Sequence, residues 1–266
     1  MYAPLGSLLQ HRLLISRLVG RELESRFKGS LFGAAWYVLL PLILVLVYTL
    51  VFGVVFQTRW PQQIAGSSAV VSLYLFSGML IFTIFAEVAS RSPTLIMENA
   101  AYVKKVVFPL EVLPWIVVLS SIATFAMSMV VFICLYVALV GLPPTTALLL
   151  PILLVPYILL IVGISWFLAS ISVFIRDLRH AISLIVTIIM FSGPVFYPVT
   201  AIPERFRWMM YLNPVTLPLE MSKDLLFTGT VPAIGSWLVY LAISVLIAWL
   251  GHGWFMKTKK AFADVI

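Results

Sequence analysis

From Val112 to Pro203 the chain carries formal charge at one place only, the run Arg176-Asp177-Leu178-Arg179-His180. No soluble domain has an interior that long. Soluble chains are charged at about a quarter of their residues; here 10% are charged and 62% are hydrophobic. The class is therefore an all-α polytopic membrane protein. A net charge of +7 would suggest nucleic acid in a soluble chain. Here it reads as basic residues at the cytoplasmic membrane face, and no nucleic acid is expected.

A helix needs about 20 apolar residues to cross the hydrocarbon. Six runs meet that need, at about 33–56, 68–90, 114–140, 146–174, 181–199 and 234–256. The charge-free stretch 112–175 is too long for one helix and divides at Gly141-Leu142-Pro143-Pro144, where paired prolines remove donors and restrict their predecessors. Pro41, Pro151, Pro156 and Pro194 fall inside expected spans, which a bundle tolerates when neighbours satisfy the freed carbonyls. The start of the chain is not read as a signal peptide, because His11, Arg12, Arg17 and Arg21 interrupt its apolar run. The lone Cys134 excludes an intrachain disulfide and a multi-cysteine metal site.

Thirteen Lys and Arg residues fall on the side of the N-terminus, the 87–111 loop, the Arg176–His180 turn and the tail, against four on the other. The richer side is cytoplasmic by the positive-inside rule, so both termini are expected inside. The charge island becomes a tight cytoplasmic turn. The halves show no inverted repeat, which argues against a classical secondary transporter.

Three segments are too short or too polar to span. Residues 5–28 alternate Leu9, Leu13, Leu14, Leu18 and Leu23 with Arg12, Arg17, Arg21 and Glu24, the pattern of a helix lying in the membrane interface. Residues 91–111 form the longest cytoplasmic connection, where Ser92-Pro93 can open a short helix through about Tyr102. Its mixture of Leu95, Ile96, Tyr102 and Val106 with charges suits docking on a partner. Residues 203–227 read as two short extracytoplasmic helices broken at Asn213-Pro214, with Phe206, Met209 and Met210 at helical spacing. They suit an interfacial lid or an outer gate.

Enzyme signatures are weak. The chain has no HExxH, GxSxG or Walker motif. A Ser165/His252 dyad is the one catalytic alternative, an intramembrane serine protease, but Trp166 stands where rhomboid proteases have glycine. The spans hold almost no charge, which disfavours an ion-coupled pump. They do hold aromatics: Tyr37, Tyr48 and Phe52 share one face of the first span. A pore lined with aromatics and no charge suits a neutral, ring-containing polymer.

Four blocks resemble one family. They are Arg26-Phe27-Lys28-Gly29-Ser30-Leu31-Phe32-Gly33 with Trp36 after it, the run 99–114, Val173–Leu178, and Pro194–Arg205 with Leu212-Asn213-Pro214. In order along nearly the whole chain, they resemble permease subunits of ABC type-2 polysaccharide exporters, most closely the O-antigen branch, with the capsule and teichoic-acid branches also similar. The resemblance implies a homodimer in the bacterial inner membrane, joined to two separate ATPase subunits and exporting a lipid-linked polysaccharide. It implies no cofactor in this chain, since ATP and Mg would sit on the partner. Under it, Glu98, Asn99, Tyr102 and Lys104, with Arg176 and Asp177, are the expected ATPase-coupling residues. Tyr37, Tyr48 and Phe52 are expected on the polysaccharide path, and Phe206, Met209 and Met210 at the outer gate.

Overall fold

The computed structural model describes residues 4–26, 28–51, 68–103 and 108–265, and these contain helices and turns without a β-strand. The chain opens with α1 (Pro4–Gln10) and α2 (Arg12–Arg26), then α3 (Trp36–Tyr48). Next, α4 (Ser68–Arg91) runs through a 3-10 turn into α5 (Leu95–Glu98), and α6 (Ala100–Val103) follows. Two long helices come after, α7 (Leu113–Leu139) and α8 (Leu150–Phe174), then α9 (Leu178–Ser192). Two short helices, α10 (Glu204–Met210) and α11 (Thr216–Lys223), precede the long α12 (Ile234–Thr258) and the terminal α13 (Phe262–Val265). Among the described residues, five runs are long and apolar enough to cross a membrane: Gly33–Val51, Ala69–Glu98, Leu110–Leu139, Thr145–Phe174 and Ile234–Ala261.

Both chain ends gather at one end of the bundle. There Arg21 donates to the Tyr102 hydroxyl at 3.3 Å, Lys259 pairs with Glu111 at 2.6 Å, and Phe262 packs on Phe255 and Phe174. The turn at Gly141 and the chain from Gly193 to Ala233 form the far end, joined where Thr146 donates to the Leu225 carbonyl at 2.8 Å. In α2, Ile15 is buried while Leu9 of α1 and Leu13 face outward. Leu14 and Leu18 pack on the core beside Ile15, so part of the leucine stripe marked in the sequence meets the bundle and part faces outward.

The core includes Leu73, Leu75, Phe76 and Ile81 of α4 and Tyr157, Val162 and Trp166 of α8, all fully buried. The Tyr157 hydroxyl donates to the Ile81 carbonyl at 3.0 Å, so this buried polar group is satisfied across the helix pair. The closest helix contact is between α8 and α12. A Cβ on Gly163 would come within 2.7 Å of the Ala248 Cα, and one on Gly251 would overlap the Gly163 carbonyl oxygen. Lipid provides no hydrophobic drive to join helices, so small residues that allow backbones to touch supply the attraction by packing.

The fifth expected span, 181–199, differs: α9 stops at Ser192. Pro194 has no N–H to extend the helix and disfavours α geometry at its predecessor. Gly193 accordingly turns extended, at φ −93°, ψ 162°. At 1.5 Å per residue α9 reaches about 22 Å, short of the roughly 30 Å of hydrocarbon. Beyond Ser192 the chain continues through turns to the 3-10 turn at Val199. The first expected span is described only to Val51; its continuation to 56, Phe52 included, lies outside the described residues.

Gly251→Ala should destabilise the chain by the roughly 1–3 kcal/mol typical of overpacking and so lower the midpoint of thermal unfolding of the detergent-purified protein. Gly235→Ala, with nothing within 4 Å, should leave the midpoint unchanged.

Candidate functional site

At the end that holds both termini, two helices carry the same Glu-x-x-x-Arg spacing: Glu22 and Arg26 on α2, Glu87 and Arg91 on α4. That spacing puts each pair on one helix face. The helices meet antiparallel, so the pairs cross: Arg26 binds Glu87 and Arg91 binds Glu22. Within each helix, Arg91 also reaches Glu87 at 3.5 Å and Arg26 reaches Glu22 at 4.0 Å. Arg26 further donates to the Thr124 hydroxyl on α7 at 3.2 Å. All but Arg91 are mostly buried. The four charges cancel, which lets a charged clamp sit at the edge of the apolar region.

Arg91 leads directly into the connection 92–103. Ser92-Pro93 starts it, as a 3-10 turn, and Asn99 breaks it between α5 and α6 by donating its side-chain amide to the Leu95 carbonyl at 2.8 Å. Tyr102 stacks on Phe108 at 4.3 Å and accepts from Arg21. Glu98 is exposed. Between this connection and α2 lies a cavity of about 310 Å³ lined by Arg21, Glu22, Arg91, Glu98, Asn99 and Tyr102. Arg176 and Asp177 are exposed at the turn before α9, whose helix packs against the Ser92–Thr94 turn. The fold therefore brings the two loops expected to couple to a partner to one end and side by side. Lys104 lies outside the described residues.

At the far end, the irregular chain beyond α9 is held by side chains. Asn213 donates to the Ile189 carbonyl at 2.8 Å and to the Ser192 hydroxyl at 2.9 Å, while its own Oδ1 accepts from Val215 N. Tyr197 donates to the Phe191 carbonyl at 2.8 Å. Lys223 donates to the carbonyls of Pro194 at 2.6 Å and Val195 at 3.1 Å. Arg207 donates to those of Ile202 at 3.0 Å and Thr200 at 3.3 Å. Non-helical backbone at membrane depth needs such internal partners.

The sequence-expected path and gate residues separate in this geometry. Tyr37 donates from the clamp end of α3 to the Leu23 carbonyl at 3.2 Å. Tyr48 is buried and packs edge-on to Phe196 at 6.5 Å. In α10, Phe206 and Met209 are exposed, but Met210 is buried at 4%, because its face of the helix turns toward the bundle.

A profile of the ABC-2 type transporter family matches residues 14–227. The chain belongs to that family. It is 28% identical to an O-antigen export system permease protein, RfbA, of Myxococcus xanthus, over 97% of each chain. It is 26% identical to a Klebsiella pneumoniae protein of the same name, over 95% of each, and 21% identical to the polysialic acid transport protein KpsM of Escherichia coli, over 89% of each.

In this ABC-2 transporter chain the protease alternative gains no support. The Ser165 hydroxyl is fully buried and shares a 2.7 Å hydrogen bond with Ser92, and the His252 ring packs on Trp166 at 4.8 Å. The sequence reading missed the crossed clamp and Lys223. The two Glu-x-x-x-Arg repeats marked the charged faces of the first but not that they meet. Nothing local marked Lys223, which sits among Glu220 and Asp224 and reads as an ordinary charge on the second short helix.

Double-mutant cycles on thermal stability should find each crossed pair coupled, Glu22→Gln with Arg91→Gln and Arg26→Gln with Glu87→Gln. A coupling of about 0.5–3 kcal/mol is expected for residues in contact. Pairing Arg12→Gln with Arg91→Gln should give none.

Proposed function

We propose that this chain is the permease subunit of an ATP-driven exporter that moves a lipid-linked polysaccharide of the O-antigen class across the bacterial inner membrane. The observation that carries the reading is the end-to-end match, over 97% of both chains, to an O-antigen export system permease. The more distant likeness to KpsM keeps a capsular polymer as the second reading. The chain acts as a homodimer with both termini in the cytoplasm, and the polymer passes between the two copies, because the single bundle is filled by its own side chains. The ATP and Mg belong to two partner ATPase subunits.

In this reading the end bearing the clamp is cytoplasmic. The partner ATPases press on Glu98, Asn99 and Tyr102, and on Arg176 and Asp177 beside them. The cavity under Glu98 gives that connection room to shift, and the clamp passes the shift to α2 and α4. Phe206 and Met209 on α10 stand at the exit, and Tyr37 lies near the entrance.

Glu98→Lys and Arg176→Glu should each lower permease-dependent ATP hydrolysis in membranes by about tenfold, the worth of roughly 1.4 kcal/mol. Permease levels on immunoblots should stay normal. Unchanged hydrolysis in both variants would place the docking surface elsewhere. Ser165→Ala should leave polymer export within about twofold of wild type, since it removes one neutral hydrogen bond; abolished export with normal permease levels would revive a catalytic role.

A further inference from the structure

Lys223 is the most deeply buried charged side chain among the described residues, 3% exposed. Its Cε and Nζ lie 3.0 and 3.1 Å from where a Cβ on Gly78 would be. Gly78 is ten residues in from Ser68, the described start of α4. It sits inside the apolar run Ala69–Glu98, long enough to cross a membrane. An ionisable group packed against such a helix is costly and is kept there by specific partners.

The partners account for the whole ammonium. Two carbonyls, of Pro194 and Val195, accept from it, and its third side faces the Tyr74 ring, with Nζ 4.2 Å from the centroid. An ammonium has three donors and an aromatic face attracts a cation. Three elements therefore meet at one atom: α11 supplies Lys223, the broken end of α9 supplies the carbonyls, and α4 supplies Tyr74 and the gap at Gly78. α4 is also the helix that holds Glu87 and Arg91 of the clamp at its other end.

We propose that Lys223 is the positioning residue through which α4 carries movement from the clamp end to the hairpin at the far end. The carbonyl bonds tie α11 to the end of α9, and the Tyr74 ring face and the close fit at Gly78 hold α4 against both, so the three elements move as one body. The exposed α10 is then carried by its connections to both. The role rests on the export reading for its functional readout only; the pinned body itself does not depend on that reading.

The test uses the full-length permease assembled with its ATPase partner in nanodiscs, as wild type, Lys223→Met and Gly78→Ala. Gly78→Ala keeps the lysine but fills its gap from the opposite helix, and serves if Lys223→Met fails to assemble. Amide hydrogen exchange should speed at least tenfold in 193–199 and 216–228 and stay unchanged in 12–26 and 92–103. Polymer exported per ATP hydrolysed should fall at least fivefold while hydrolysis persists, and the double variant should be no worse than Lys223→Met alone. Exchange altered less than twofold, or sped evenly along the chain, overturns the pin. Export and hydrolysis falling together, or export per ATP unchanged despite local loosening, overturns the coupling role. If wild type shows no ATP-dependent export, the functional reading fails while the exchange result still decides the pin.

Discussion

Hydrocarbon offers a peptide group no hydrogen-bond partner, and the far end of this molecule is organised around that fact. The glycine and prolines after α9 stop that apolar helix at Ser192. The carbonyls freed there are not left bare. Asn213, Tyr197, Lys223 and Arg207 reach them from the segment itself and from the hairpin behind it. The hairpin is thus more than a cap on the bundle: Asn213 and Lys223 reach from it to the carbonyls of Ile189, Pro194 and Val195.

A second consequence concerns α4. In a bundle held by van der Waals contact, helices slide or tilt against one another more readily than they break polar contacts. α4 carries polar contacts at both ends, the crossed clamp to α2 and the meeting with Lys223, and between them its buried apolar face. Elements joined at such points tend to move together, whereas α3 and α12 present broad exposed apolar faces to their surroundings.

The membrane class, the long apolar helices and the helical start at Ser92-Pro93 were legible because each follows from local rules: hydropathy over 20 residues and a proline at a helix start. The break at Asn99, where one short helix through about Tyr102 was expected, was not. The end of α9 was partly legible. Gly193-Pro194 and Pro198 mark a break, but a run of apolar residues through Pro194 also looks like a tolerated kink, and length favoured a full span. The clamp depends on two helices 61 residues apart meeting antiparallel, and no local pattern states that they meet. Lys223 was the least legible. Its sequence neighbours are acids, and its real neighbours are two carbonyls and a ring supplied from elsewhere in the chain. Tyr48 illustrates the same limit in the other direction: a shared helical face was clear from periodicity, and what covers that face was not.

The meeting of Gly78 and Lys223 also constrains how this chain can vary. A methyl group at position 78 would press on the Val195 carbonyl oxygen at 2.8 Å as well as on the lysine stem. A larger residue at 78 must displace both that backbone oxygen and the lysine, and a shorter residue at 223 leaves the carbonyls of 194 and 195 in need of a different donor. Substitution at 78 or at 223 is therefore felt by the whole meeting. In descendants of this sequence they should drift together or hold still together, while the lipid-facing positions around them change freely.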